Sequence, residues 1–136
     1  MQSLNIKQGN RTPEIKFSPD ENVFYIRGTS SPEDVRKLYY PVLGWINKFI
    51  EEILEGGFKT FNHENPLRFQ FDLLYFNSAS AKFFFDILSE LKKLPSAGIP
   101  VNVEWHYDEE DIDMKEAGVD FSNLVGMEFT FIPKNS

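Results

Sequence analysis

The stretch Leu67-Arg68-Phe69-Gln70-Phe71-Asp72-Leu73-Leu74-Tyr75 decides the fold. Leu67, Phe69, Phe71, Leu73 and Tyr75 alternate with Arg68, Gln70 and Asp72, the two-residue period of a strand with one dry and one wet face. The same period returns downstream. Val101, Val103, Trp105 and Tyr107 alternate with Asn102, Glu104 and His106, and Met127, Phe129 and Phe131 alternate with Glu128 and Thr130. Strands covered on both faces read instead as continuous apolar runs, so helices are expected on one side only.

The segments between these strands carry helical periodicity. Ser31-Pro32-Glu33-Asp34 reads as a helix start: a Ser N-cap, a Pro whose missing N–H is harmless in the first turn, and acids at the positive end of the dipole. Val35, Leu38, Tyr39, Val42, Ile46, Phe49, Ile50 and Ile53 then hold a 3.6-residue phase past Pro41, which predicts a kink, up to Gly56-Gly57. A second helix is expected from about Ala79 to Leu94, with Ala81, Phe84, Phe85, Leu88 and Leu91 inward and Pro95 ending it. A third, roughly Asp111 to Leu124, is expected to be interrupted at Gly118. Upstream, Asn22–Arg27 reads as a strand bounded by Gly28, preceded by short candidate strands at Leu4–Ile6 and Ile15–Phe17. The order from Asn22 onward is β-α-β-α-β-α-β, which favours parallel pairing through right-handed crossovers. The fold class is α/β, a two-layer sandwich in which a mixed sheet carries its helices mainly on one face.

The chain is 136 residues long, and a single domain over residues 1–136 is expected. Its formal charge is −7, with Lys+Arg 14 against Asp+Glu 21. So few basic residues argue against nucleic acid or an anionic membrane as the main partner, since both require a positive footprint. With no Cys there are no disulfides and no thiolate metal sites. No basic segment followed by an apolar one opens the chain, so a cytoplasmic protein is expected. No nucleotide or metalloprotease motif occurs, and neither a cofactor nor a metal is expected.

In open α/β sheets function gathers beyond the carboxyl ends of the strands. Two segments lie there: Tyr75-Phe76-Asn77-Ser78-Ala79-Ser80 and His106-Tyr107-Asp108-Glu109-Glu110-Asp111. Two readings of Ser78 and Ser80 stand side by side. Either serine can cap the helix that follows, or the hydroxyl at this helix start is a phosphorylation site, where free N–H groups and the dipole favour a dianion. The acids Asp108 to Asp113 lack the spacing of a calcium loop and read as a solvated run that favours the next helix N-terminus. A third reading joins Ser78, His106 and Asp108 (or Asp72) as a small Ser-His hydrolase, although the G-x-S-x-G elbow is missing and His106 falls on the wet face.

Thr12-Pro13-Glu14-Ile15, Pro32-Glu33, Leu74-Tyr75-Phe76-Asn77-Ser78-Ala79-Ser80-Ala81 and Trp105-His106-Tyr107-Asp108-Glu109-Glu110-Asp111 together resemble the SiaC family, small bacterial regulatory phosphoproteins related to STAS-domain anti-sigma-factor antagonists. The resemblance runs from about Ile6 to Phe131. It implies a STAS-like fold and a non-enzymatic partner switch. In that family a Ser or Thr in the L-Y-x-N-[ST] segment is phosphorylated by a histidine-kinase-like serine/threonine kinase and dephosphorylated by a PP2C-type phosphatase, and the unmodified protein activates a diguanylate cyclase. The matching acceptor is Ser78, with Asn77 and Ser80 shaping the site. Thr12, Glu14, Tyr75, His106, Tyr107, Asp108, Glu109 and Asp111 are the expected partner surface. Release of a sigma factor, as in some STAS relatives, is the alternative output. The family often has Thr where this chain has Ser78, and Tyr where it has Ser31.

Overall fold

A computed structural model describes residues 1–56 and 61–135. Its elements run β1 (Leu4–Ile6), β2 (Glu14–Ser18), β3 (Val23–Ser30), α1 (Val35–Leu54), β4 (Leu67–Phe76), α2 (Ser78–Leu91), α3 (Lys93–Ser96), β5 (Val101–Asp108), α4 (Ile112–Val125) and β6 (Phe129–Lys134). All the strands join one six-stranded sheet in the order β1-β2-β3-β4-β5-β6. The N-terminal pairs β1-β2 and β2-β3 are antiparallel, and β3 to β6 are parallel. Spatial order equals chain order, so right-handed crossovers must place every connecting helix on the same face. This is the mixed, one-sided α/β sheet that the alternating strands predict.

The core lies between that face and the helices. Phe17, Phe24, Phe69, Phe71 and Trp105 project from the sheet, and Tyr39, Ile46, Phe49, Phe84 and Leu88 meet them from α1 and α2. Aromatic pairs link the two layers, with Phe24 stacked on Phe49 at 5.4 Å and Phe71 edge-on to Phe84 at 5.4 Å. Pro41 lies inside α1 without ending it, because the apolar phase on both sides keeps the helix docked.

Several local expectations are corrected. The α1 cap is Asp34, which accepts from the Lys37 N–H at 3.1 Å, so Ser31 does not cap this helix. Gly56 follows the last turn of α1, and Gly57 lies outside the described residues. In α2, Phe83 and Ile87 join the buried face while Phe85 remains 38% exposed. That helix ends at Leu91, and a separate turn, α3, holds Leu94 and Pro95. The last strand starts at Phe129 and continues to Lys134, so Met127 precedes it.

Gly118 does not interrupt α4. It lies where the helix crosses Trp105, and a Cβ there would come within 2.5 Å of the indole Cδ1. The Trp105 Nε1–H donates to the Met114 carbonyl at 2.9 Å, fastening the same helix.

The largest departure is at the end of β3 and β4. The β3 strand passes through Gly28, whose φ is +113°, and continues to Ser30. Its pairing with β4 skips one residue there, since Gly28 faces Leu73 and Thr29 faces Tyr75. Leu74 is the extra residue of a bulge, so the inward phase of Leu67 to Leu73 passes to Phe76 instead of Tyr75. Phe76 packs on Phe84 and Trp105, leaving Leu74 70% and Tyr75 55% exposed.

Gly118→Ala is expected to lower unfolding stability by about 1–3 kcal/mol through overpacking against Trp105. Gly44→Ala, on α1 with nothing within 4 Å of the new Cβ, is expected to raise it by about 0.5–1 kcal/mol. Urea denaturation of both variants checks the pair.

Candidate functional site

The carboxyl ends of β3, β4 and β5 lie along one edge of the sheet, where the chain leaves Ser30, Phe76 and Asp108. Antiparallel β2 enters at the same edge, because Glu14 pairs with Arg27. The Arg11 carbonyl accepts from the Ser31 N–H at 2.8 Å, bringing the Thr12 turn beside the start of α1. Thr12 itself is engaged locally, its Oγ1 accepting from the Gly9 N–H at 3.0 Å.

The start of α2 separates the two candidate serines. Asn77 is the N-cap, its Oδ1 accepting from the Ser80 N–H at 2.9 Å. Ser78 is thus the first helical residue, and its side chain is exposed. Ser80 is fully buried. Its Oγ donates to the Ser30 carbonyl at 3.0 Å and shares a 2.8 Å hydrogen bond with Ser30 Oγ, which lies 2.6 Å from the Tyr39 hydroxyl. The Asn77 N–H also donates to the Ser30 carbonyl at 3.0 Å. Burial pushes the Tyr39 phenol well above its ordinary pKa, although its hydroxyl partners pull it down. A protonated, fully bonded hydroxyl cluster therefore ties α1, β3 and α2 together at the start of the helix that carries Ser78.

The acidic segment is ordered by its own carboxylates. Asp108 Oδ1 accepts from the Glu110 N–H at 3.0 Å, and Asp111 caps α4 by accepting from the Met114 N–H at 3.0 Å. Glu109 is exposed and its N–H donates to the Lys134 carbonyl at 2.9 Å. Tyr107 is buried, with the Lys115 ammonium 5.9 Å from its ring centroid. Among the described residues, no group of three or more His, Asp or Glu side chains converges to hold a metal.

On the face of the sheet without helices, charges pair across strands. Glu14 accepts from the Tyr25 hydroxyl at 3.0 Å and approaches Arg27 at 3.7 Å, and Arg27 also faces Asp72, which accepts from Lys134. Arg68 forks onto both Glu104 oxygens, and His106 Nε2 lies 3.1 Å from Glu104 Oε1. Burial alone would raise the Glu104 carboxyl; the hydrogen bond and charge of Arg68, joined by His106, outweigh it and hold the pKa below the usual carboxylate value. The Ser78, His106 and Asp108 constellation is consequently not assembled. The imidazole is turned toward Glu104, Asp72 is held by Lys134 and Arg27, and Asp108 closes its own turn.

The exposure of Leu74 and the hydroxyl roles of Ser30 and Tyr39 at this site escape the sequence reading. The Leu73-Leu74 pair, which breaks the alternation of β4, is the signal for the first of them. The hydroxyl contacts leave no local signature.

The family model for the SiaC family regulatory phosphoprotein matches residues 6–134. This chain belongs to the SiaC family. Apo-SiaC from Pseudomonas aeruginosa superposes with a TM-score of 0.80 at 27% identity, over 97% of this chain and 99% of that one. A crystal structure of the diguanylate cyclase SiaD in complex with its activator SiaC, also from Pseudomonas aeruginosa, matches with a TM-score of 0.81 at 27% identity, over 96% of this chain and 99% of the matched chain. An uncharacterized protein of the same species is 29% identical over 121 residues, covering 89% of this chain and 88% of its own. The SiaC assignment and the α/β fold read from the sequence therefore agree with the comparisons. Among the described residues, no helix is long and apolar enough to cross a membrane.

Glu104→Gln is expected to destabilise the protein at neutral pH. A carboxyl whose folded pKa is lowered contributes stability above its unfolded value and loses it as pH falls through the folded one. The difference from wild type should therefore narrow below about pH 4, the ordinary glutamate range. Thermal melts between neutral and acid pH follow it.

Proposed function

We propose that this chain is a partner-binding switch that activates a diguanylate cyclase when unmodified and is released by phosphorylation of Ser78. One observation carries the reading: at the functional edge of the sheet, Ser78 is exposed on the first turn of a helix whose cap and buried serine are already committed elsewhere. Ser80 is fully buried and hydrogen-bonded to Ser30, which supports a role in holding the helix start and not as the acceptor. Membership of a regulatory phosphoprotein family supports a role in signalling. The relative described as the activator of a diguanylate cyclase supports the choice of partner.

The proposed chemistry needs no change of fold. A phosphate on Ser78 carries about −1.5 to −2 charges at pH 7 and sits at the end of α2 where the helix dipole favours an anion. The helix therefore tolerates the modification. The partner does not: Leu74 and Tyr75 precede the acceptor by one short segment, and a surface that covers them would have to strip water from the dianion. The acting proteins around this switch would be a serine/threonine kinase of the histidine-kinase-like type and a PP2C-type phosphatase.

Incubation with the cognate kinase and ATP, followed by mass-spectrometric mapping, is expected to place phosphate on Ser78. Ser78→Ala should retain cyclase activation and no longer respond to the kinase. Ser78→Asp should stabilise α2 by about 0.3–1 kcal/mol through the helix dipole, yet mimic the modified state incompletely with one charge. Phosphate mapped elsewhere with Ser78 untouched contradicts the assignment.

A further inference from the structure

Leu74 at 70%, Tyr75 at 55% and Ile112 at 65% are among the most exposed large apolar side chains of the protein. Their exposure has a structural origin. The bulge turns Leu74 and Tyr75 outward together, and Ile112 is the first residue of α4, directly after its Asp111 cap. Leu74, Asp108, Asp111, Lys134 and Asn135 line one concavity of about 240 Å³ at the carboxyl ends of β4, β5 and β6. Ile112, exposed, follows the lining residue Asp111 in the chain.

The charges around this patch are mostly acidic. Among the described residues, no ion pair engages Asp108, Glu109, Glu110, Asp111 or Asp113. Lys134, the cation lining the concavity, is already held by Asp72. An apolar centre beside a predominantly acidic, unpaired rim is complementary to a protein surface that offers an apolar pocket edged by Lys or Arg. A second copy of this chain would oppose the same acidic rim to itself, which the charge of −7 further disfavours.

We propose that Leu74 and Ile112, with Tyr75 beside them, are the anchors of the partner interface, and that they insert into a basic-rimmed apolar pocket on the partner. The proposal rests on the cyclase reading above and names the chemistry by which that partner is recognised. Apolar anchors supply the affinity, whereas the acidic rim steers approach and is sensitive to salt.

The test measures binding of the full-length chain to the diguanylate cyclase encoded by the same genome, by biolayer interferometry at low and high NaCl. Leu74→Asn and Ile112→Asn are each expected to weaken binding about tenfold or more, with unchanged thermal melts because both side chains are exposed. Binding of the wild-type chain should weaken as salt rises, and Glu109→Gln with Glu110→Gln should flatten that dependence. Wild-type affinity in the combined Leu74→Asn and Ile112→Asn variant overturns the anchors while leaving the cyclase reading intact. Binding that strengthens with salt overturns the basic rim. Failure of the wild-type chain to bind sinks the cyclase reading itself. Concentration-dependent dimerisation that Leu74→Asn abolishes makes a second copy the occupant, and the proposal is then wrong.

Discussion

The structure depends on one topological constraint: β3, β4, β5 and β6 lie side by side in chain order, so right-handed connections must all cross the same face of the sheet. Everything else divides around that choice. One face receives α1, α2 and α4 and becomes the aromatic core. Among the described residues no helix covers the other face, so its side chains must satisfy one another and water. They do so through cross-strand pairs, with Arg27 between Glu14 and Asp72, and Arg68 with His106 around Glu104. The same connectivity gathers the Thr12 turn, Ser30, Asn77 to Ser80 and Asp108 to Asp111 at one edge.

Two local devices then shape the edge. A single extra residue at Leu74 shifts the phase of β4, sending Phe76 into the core and leaving Leu74 and Tyr75 in solvent. Three residues later the helix period separates two serines that look alike in the sequence. Ser80 points down into the Ser30 and Tyr39 hydroxyls, and Ser78 stays outside. A buried hydroxyl cluster with every partner satisfied makes a rigid floor. In the proposed switch, a phosphate added above that floor changes the surface and leaves the frame in place.

Much of this was legible in the sequence because it rests on periodicity. The alternation in Leu67 to Leu73 and Val101 to Tyr107 identifies one-sided strands, and the phase from Val35 to Ile53 identifies a long docked helix even across Pro41. The edge that carries Ser78 follows from connectivity alone. What stayed hidden depends on partners distant in the chain. Whether Ser31 or Asp34 caps α1 is decided by where β3 ends, and β3 ends late because Gly28 lets the strand bend. Gly118 reads as a helix breaker until Trp105 is seen against it. Glu104 has the phase of a wet-face residue yet is buried, because Arg68 from the neighbouring strand and His106 cover it. The Ser78, His106 and Asp108 grouping fails for a local reason, since the imidazole already has a partner two residues away on its own strand.

In the proposed switch the partner engages this edge, and neither the open sheet face nor the helical layer forms the interface. Hydrogen exchange of the full-length chain, free and bound to the diguanylate cyclase of its own genome, tests it most directly. Slowed exchange on binding is expected only in the Leu74 to Ser78 and Glu109 to Asp113 segments, with the amides of β3, β5 and α1 unchanged. Protection appearing instead across α1 and α2, or along β2 and β3, would contradict it.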